Sequence, residues 1–375
     1  MTHTRHIAFG LVLFVSILMS FIAYFRVFAT EAGVYSVGRA WYYFRDYAEF
    51  GFAPATLLGT ILSPWISYPV SEPYRLAWQI QGAILLPAVL LVTFVVSRYV
   101  FPISATWSIA LIGAVSLLPH MAYNLGNLDN LLAILAIVSV LALRHTWLVV
   151  FICVVGPLFH AMFVFAIYPC LLFLVYLLRG KSWHLWVVAV AMASMFCIVF
   201  FGAYRAVDVE RYAALIAERA PGLVRNGAFE FFATTEEFFN VTWGERRAFG
   251  FPYLWFIFAL AHVGILLGFT FRKDERLTAF ALRLIVLCAP LSLMIFIADI
   301  YRLTAWVGFN VLLYATYLAK FQPDMGLRET LGARRPALFL AAVLPWMLLG
   351  PMGVTCHGTC GATAFPFFKR VIEAF

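Results

Sequence analysis

The stretch LAWQIQGAILLPAVLLVTFVV, from Leu76 to Val96, decides the fold of this chain. It runs for 21 residues without Lys, Arg, Asp, Glu or His, and about 20 apolar residues in an α-helix are enough to cross the hydrocarbon core of a bilayer. In lipid, every backbone N–H and C=O has to be bonded within the structure, which leaves helices or closed barrels. Because the run shows no regular alternation of apolar and polar residues, it predicts a membrane-spanning helix.

The composition of the whole chain agrees with this prediction. Hydrophobic residues make up 64% of the 375 residues and charged residues 12%, whereas about 25% is charged in an average globular protein. The net charge of +8 comes from Lys and Arg that are dispersed at the ends of apolar runs. That distribution favours anchoring beside anionic lipid headgroups over binding of nucleic acid.

Further apolar runs lie on both sides of this stretch. With it, they predict spans at about 7–28, 76–96, 103–118, 128–143, 183–203, 251–271, 277–298, 304–319 and 337–349. The run 146–178 is too long for one crossing, and Gly156-Pro157 predicts a break that leaves a half-length helix in and a full helix back. The segment 53–66 is too short to cross and is either re-entrant or interfacial. The predicted fold class is all-α, a polytopic transmembrane bundle of about ten helices in a single integral membrane domain, 1–375.

Lys and Arg near the span ends set the predicted orientation. With the N-terminus in the cytoplasm, the residues on the inside are Arg5, Arg98, Arg144, Arg179, Lys181, Arg272, Lys273, Arg276, Lys320, Arg328, Arg334 and Arg335. The external parts are then the segments 30–66 and 204–250 and the C-terminal tail 350–375. Segment 204–250 predicts one or two helices over the bundle, either as a cover that closes over a substrate or as a passive cap. The predicted location is the bacterial inner (cytoplasmic) membrane, with multiple passes.

In this orientation, the uncommon polar residues at the span ends fall toward the external face. They are Asp46, Glu49, His120, Asp129, His160, Asp299 and Arg302. Ionisable groups at membrane depth are costly and therefore indicate function. We expect these side chains to assemble into a single pocket at the outer boundary of the lipid.

The motif Arg45-Asp46-Tyr47-Ala48-Glu49 lies in the first external loop. A carboxylate there could take a proton from a sugar hydroxyl or help hold a divalent cation, and Asp46 and Glu49 share a face if the segment is helical. Asp46 and Glu49 are therefore the candidate catalytic residues. The structural alternative is an Arg45–Asp46 pair that caps a short interfacial helix.

The motif from Asn124 to Asn130 follows Pro119-His120 and contains Asn127 and Asp129. An N-cap role for Asp129 is the default interpretation, because Asp and Asn side chains bind free N–H groups at helix starts. A plain cap does not need four amide or carboxylate side chains in seven residues. The excess suits sugar hydroxyls or phosphate oxygens, which makes His120, Asn127 and Asp129 candidate substrate-binding residues.

Two further candidates lie on later spans. His160 follows the Gly156-Pro157 break, and it either bonds to a neighbouring helix or lines a ligand site formed at the broken helix. Asp299 and Arg302 are three apart and can pair on a helix. Alternatively, Arg302 binds a phosphate through its guanidinium fork.

The remaining sequence signals narrow the function classes. Cys356, Cys360 and the residues between them provide too few ligands for a zinc site. On the external side, a disulfide between the two cysteines, which would close a small loop, is favoured. Walker A, H-E-x-x-H and G-x-S-x-G sequences are absent, which gives no support to an ATPase, a zinc metalloprotease or a rhomboid-like serine protease.

The order of these parts resembles the membrane-embedded glycosyltransferases of the GT-C type and related bacterial polysaccharide-biosynthesis membrane proteins. The shared features are Asp46 in the first external loop, a short amphipathic piece with Gly59, the turn Gly126 to Asp129, the apolar helix with His160, and the corner Asp299 to Arg302. The resemblance implies a catalytic base at Asp46 and a phosphate-binding role for Arg302. It also implies an acceptor pocket lined by Asp129 and His160.

The leading hypothesis is glycosyl transfer from a polyprenyl-phosphate-linked sugar donor to a cell-envelope glycan or lipid acceptor at the external membrane face. The alternatives are a transporter or flippase of a lipid-linked sugar and a non-enzymatic membrane assembly subunit. The sequence assigns no metal ligands, and a divalent cation is left open. Membrane lipid, the donor and the acceptor are the expected partners, and nucleic acid is not one of them.

Overall fold

The computed structural model describes residues 2–29, 40–52, 55–103, 128–203, 209–223, 276–295 and 300–323, together with single residues at 105, 108, 109, 111, 264 and 267. Every regular element in these parts of the chain is helical, which confirms the all-α class. The predicted span 337–349 lies outside the described residues, as do most of 103–118 and nearly all of 251–271.

The α-helices of the described residues vary from one turn to 28 residues. They are α1 (Thr2–Ala29), α2 (Tyr47–Phe50), α3 (Leu57–Leu62), α4 (Pro73–Val95), α5 (Asp129–Leu141), α6 (Thr146–Phe159), α7 (Met162–Ala166), α8 (Tyr168–Arg179), α9 (Trp183–Cys197), α10 (Val209–Arg219), α11 (Leu277–Leu287) and α12 (Ile300–Phe321). Short 3₁₀-helices occupy Ala40–Phe44, Ser63–Trp65 and Ala289–Ile295, and π-helical turns extend α4 through Val96–Val100 and α9 through Ile198–Ala203.

Two of the described helices are long and apolar enough to span a membrane. They are Pro73–Val100, with 28 residues, and Trp183–Phe201, with 19 residues. The first contains the stretch from which the fold was predicted. The apolar helices Asp129–Leu141, Thr146–Phe159, Tyr168–Arg179 and Leu277–Leu287 are shorter than a full crossing, so the number of about ten spans stays a prediction.

Helix α12 lies at the centre of the bundle and is buried along nearly its whole described length. It runs parallel to α5, since contacts join the two helices at both ends. At their starts, Arg302 binds Asp129, and at their ends Lys320 Nζ donates a hydrogen bond to the Leu141 carbonyl at 2.6 Å. Helix α1 runs antiparallel to α4, because Phe9 contacts Phe101 and Tyr24 stacks on Trp78.

These directions divide the bundle into two ends. The first, which we call the basic end, contains the Lys320–Leu141 contact, and there Arg179 Nη2 donates to the Arg144 carbonyl at 2.8 Å. Tyr99, next to Arg98, lies under Lys320 at this end. The opposite end, which we call the loop end, carries the starts of α5 and α12 and the end of α6.

The sequence predicts a helix break at Gly156-Pro157. In the structure, the break comes three residues after Pro157, which is inside helix α6. Proline has no N–H for the carbonyl four residues before it, and that carbonyl belongs to Cys153. The hydroxyl of Tyr168 donates to the Cys153 carbonyl instead. Because this bond replaces the missing one, α6 continues to Phe159 before the chain turns back through α7 and α8 to Arg179.

Replacing Tyr168 with Phe is expected to lower the free energy of unfolding by about 1–3 kcal/mol, because the buried Cys153 carbonyl then has no donor. Chemical unfolding of the purified chain in detergent measures this change. Tyr176→Phe is the matched control, since Tyr176 lies on the same helix and is exposed. Equal effects of the two replacements would contradict this explanation of the helix.

Asn310 connects two other helix breaks to the central helix α12. Its side-chain amide donates to the Ala166 carbonyl at 2.8 Å, where α7 ends, and to the Leu287 carbonyl at 3.2 Å, where α11 ends. Carbonyls at helix ends have no intrahelical donor and need another partner when they are buried. This fully buried amide therefore holds both interrupted helices against α12.

Candidate functional site

The first loop packs backbone against backbone at Gly59. A Cβ atom on Gly59 would lie 1.8 Å from the Arg45 carbonyl oxygen, so only glycine lets α3 approach this closely. The next residue, Thr60, accepts a hydrogen bond from the Tyr47 N–H through its hydroxyl at 2.9 Å. Helix α3 thus fixes the backbone on both sides of Asp46.

Within the described residues, the Asp46 carboxylate accepts hydrogen bonds from three donors. Oδ1 accepts from the Glu49 N–H at 3.0 Å, which makes Asp46 the N-cap of α2. Oδ2 accepts from the Ser63 hydroxyl at 3.0 Å and from Arg219 Nη1 at 2.6 Å. Its side chain is only 7% exposed, so these partners replace most of its hydration.

Burial on its own raises the pKa of a carboxyl group. At Asp46, the hydrogen bond from Arg219, the Glu49 N–H, the charge of Arg219 and the Ser63 hydroxyl outweigh burial, and the pKa lies below its ordinary value. Asp46 is therefore ionised at neutral pH. Separation from Arg219 would raise its affinity for a proton.

The ion-pair partner of Asp46 is Arg219. The structural alternative in the sequence analysis paired Asp46 with Arg45, and that pairing was wrong. Arg45 is fully buried, and its guanidinium lies 4.0 Å from the centre of the Trp41 ring and 4.9 Å from that of Tyr42. Asp46 does cap a short helix, as that alternative expected. Glu49 is exposed, and its backbone N–H is the group that contacts Asp46.

Helix α10, the described helical part of segment 204–250, binds this loop at two points. Tyr212 and Arg219 are seven residues apart, which places them on one side of a helix. Tyr212 donates from its hydroxyl to the Phe50 carbonyl, and Arg219 donates from Nη1 to the Phe44 carbonyl at 3.2 Å. The Arg219 carbonyl in turn accepts from the Val70 N–H at 2.7 Å, so α10 lies over the loop.

Asp129 and Arg302 form a bidentate ion pair at the loop end. Arg302 Nε and Nη2 each lie 2.6 Å from one oxygen of the Asp129 carboxylate, and the two side chains are 2% and 0% exposed. The default N-cap interpretation of Asp129 was wrong, because Leu128 takes the cap position and Asp129 is the first helical residue. The pair instead joins the starts of α5 and α12.

His160 lies in the break after α6. The sequence interpretation placed it inside a helix, which was wrong. Its backbone is extended, and its Nδ1 accepts from the Met162 N–H at 3.0 Å, so it caps the chain at the start of α7. The His160 ring also contacts the Tyr42 ring edge-on, with centroids 6.1 Å apart. This contact joins the first loop to the broken helix.

The structure therefore places three of the described candidates in two clusters at the loop end. One holds Asp46 with Arg219, and the other holds Asp129 with Arg302; within the described part of the chain, Asp46 contacts neither member of the second pair. His120, Asn127 and Asp299 lie outside the described residues, and so do Cys356 and Cys360.

Sequence reasoning missed Arg219 and Ser63, which bind Asp46, and Tyr68, whose ring centre lies 4.6 Å from the Arg219 guanidinium carbon. Arg219 was one of six basic residues in a mixed-charge segment, and nothing in that pattern distinguishes it. Ser63 lies 17 positions from Asp46, and Arg219 lies 173 positions away. Only the spacing of Tyr212 and Arg219 on an amphipathic helix could have suggested a common docking face.

Among the described residues, no three His, Cys, Asp or Glu side chains come together as a metal site requires. In the part of the chain that the structure describes, every regular element is helical, two helices pass as membrane-length, and two ion pairs of low exposure lie at one end. Comparisons with family models, with curated proteins and with solved structures find no match for the chain.

Proposed function

We propose that the chain is a multi-pass membrane protein of a bacterial inner membrane. Large apolar side chains are exposed in stripes at helical spacing on several helices: Ile7, Leu11, Phe14 and Leu18 on α1, Leu86, Leu90 and Phe94 on α4, and Trp183, Trp186 and Val190 on α9. Contiguous apolar surface of this extent is unfavourable in water and suits acyl chains. Such stripes outside a packed bundle support contact with lipid.

The basic end faces the cytoplasm in this proposal, and the loop end faces outward. Arg98, Arg144, Arg179 and Lys320 belong to the basic end, and Lys and Arg are enriched on the cytoplasmic side of membrane proteins. The exposed Trp147 and Trp183 lie near that end, where indole rings favour the headgroup region. Asp46 and Asp129 then lie toward the external face.

We propose that this protein transfers a glycosyl group from a polyprenyl-phosphate-linked sugar to a cell-envelope glycan or lipid acceptor. The observation that carries the proposal is an ionised carboxylate of low exposure, Asp46, beside the Arg219 guanidinium at the loop end. The acceptor hydroxyl needs a base such as the carboxylate, and the anionic phosphate of the donor needs a cation such as the guanidinium. The two groups therefore have to lie next to each other.

In the proposed reaction, the acceptor hydroxyl oxygen attacks the anomeric carbon of the donor sugar. The bond between that carbon and the phosphate oxygen breaks, and its electron pair leaves with the phosphate. Asp46 takes the proton of the attacking hydroxyl as general base. The buried Asp129–Arg302 pair holds α5 and α12 in register at the loop end.

Replacement of Asp46 with Asn is expected to lower the rate of sugar incorporation by about 10²–10⁴-fold, the usual contribution of a general base. The measurement is incorporation of labelled sugar into envelope glycan or lipid by membranes that contain the chain. Asn keeps the cap of α2, because it is as good an N-cap residue as Asp.

Glu72→Gln is the control for this experiment. Glu72 is a carboxylate directly before helix α4, but its side chain is 62% exposed and, within the described residues, its ion-pair partner is Arg75 at 3.0 Å. It is expected to keep full activity. Full incorporation by the Asp46→Asn variant, at wild-type expression, would end the proposal.

A further inference from the structure

Arg219 and its neighbours offer more N–H and O–H donors than the Asp46 carboxylate binds. Both hydrogen bonds of the Arg219 side chain within the described residues come from Nη1, one to Asp46 and one to the Phe44 carbonyl. A guanidinium has five N–H donors in a planar fork, which suits two oxygens of a phosphate. The side chain is 13% exposed, so part of it reaches the surface.

Aromatic rings hold the plane of this guanidinium. The Arg219 guanidinium carbon lies 4.6 Å from the centre of the Tyr68 ring and 5.5 Å from that of Phe50. Stacking on aromatic faces orients an arginine fork in advance and lowers the entropy lost when it binds. The fork is therefore held in place independently of Asp46.

The hydroxyl of Tyr68 is a second donor at the same place. It is buried close to Arg219 and Ser63, yet it makes no well-formed hydrogen bond within the described residues. Burial, together with the charge of Asp46, holds the pKa of Tyr68 above its ordinary value, so the hydroxyl keeps its proton. A buried hydroxyl without a partner is costly and indicates a missing acceptor.

We propose that Arg219, Tyr68 and Ser63 form an anion site, in which a phosphate group displaces the Asp46 carboxylate from the Arg219 guanidinium. The phosphate then accepts from Arg219, from the Tyr68 hydroxyl and from Ser63. Asp46 keeps its bond from the Glu49 N–H after the exchange, so its position as N-cap is retained.

The surface beside the site suggests where the phosphate comes from. Ser63 begins the short 3₁₀-helix that ends at Trp65, which is 77% exposed, and Ile61 and Phe52 are each 44% exposed. A phosphate on a lipid would place its acyl chains against this apolar surface, and a free phosphate would not. Both sources present the same anion to Arg219.

This inference does not need the transfer reaction, because it concerns binding alone. If the phosphate belongs to the lipid-linked donor, the exchange also frees Asp46 to act as base, and that step rests on the proposed function. A chain that shows the exchange but incorporates no sugar would refute the proposed function and leave the anion site standing.

The test is calorimetric titration of the purified full chain in neutral detergent with inorganic phosphate, and separately with phosphatidic acid. Asp46→Asn is expected to bind about tenfold more tightly than wild type, because the competing carboxylate is removed. Arg219→Gln is expected to bind at least about tenfold more weakly, with Arg219→Lys in between and Tyr68→Phe a few-fold weaker than wild type.

Arg75→Gln is the control for general attraction of anions, since Arg75 is an exposed cation in the first turn of helix α4. It is expected to bind like wild type. Binding of phosphatidic acid but not of inorganic phosphate supports a lipid source, and equal binding of both supports a free phosphate. The proposal is overturned if neither probe binds, if Asp46→Asn binds no more tightly than wild type, or if Arg219→Gln binds as wild type does.

Discussion

Replacing Arg302 with Met is expected to lower the free energy of unfolding by about 3–5 kcal/mol, because it leaves the Asp129 carboxylate buried without its bidentate cation. Both Asp129 oxygens lie 2.6 Å from Arg302 nitrogens, and neither side chain is more than 2% exposed. Chemical unfolding in detergent, followed by the loss of helical circular dichroism, measures the change.

Two further variants separate charge burial from loss of volume. The double replacement of Asp129 by Leu and Arg302 by Met removes both charges and is expected to recover most of the lost stability. Arg75→Met breaks the exposed pair with Glu72, where both side chains are 62% exposed, and is expected to cost less than about 1 kcal/mol. If Arg302→Met and Arg75→Met cost the same, the Asp129–Arg302 pair does not hold α5 and α12 together.

Gly59→Ala is expected to have the second large effect. The new Cβ would lie 1.8 Å from the Arg45 carbonyl oxygen and 2.7 Å from its carbon, and neither is the flexible end of a side chain. The backbones of α3 and of the first loop have to separate, at a cost of about 1–3 kcal/mol or more. Asp46 follows Arg45 directly, so the separation also displaces the carboxylate from Ser63.

The measurement combines stability and phosphate binding on the same purified variant. Gly10→Ala is the matched control, because a Cβ on Gly10 meets nothing within 4 Å and Ala favours the interior of helix α1. Gly10→Ala is expected to leave stability unchanged or raised, with unchanged phosphate binding. A Gly59→Ala variant with wild-type stability would show that the close approach at Arg45 is not required.

The elements that sequence could predict are those that depend on local apolar length. The stretch from Leu76 to Val96 became a long helix because its only requirement is a continuous run without charge. The break after α6 was displaced to His160, since the Cys153 carbonyl finds a donor in Tyr168, 15 residues further on. Local rules describe proline correctly but do not include that distant hydroxyl.

The partners of the candidate residues could not be predicted, for a related reason. Asp46 carries a cap signal that local sequence shows, and that part of the interpretation agrees with the structure. Its cation is 173 residues away on α10, and the same separation divides Asp129 from Arg302. Pairing at that distance depends on how helices pack. The residue types alone allow Arg45 as the partner of Asp46 and Asp299 as the partner of Arg302 equally well.

The proposed orientation has the Asp46 cluster facing outward and the basic end facing the cytoplasm. Glu49→Cys and His145→Cys, made singly in a chain whose six native cysteines are replaced, place exposed thiols at the loop end and at the basic end. This orientation predicts that a membrane-impermeant maleimide labels the Glu49→Cys variant in cells with a permeable outer membrane and an intact inner membrane. It predicts that the His145→Cys variant is labelled only after the inner membrane is opened. Labelling of both variants before opening, or the reverse order, would contradict it.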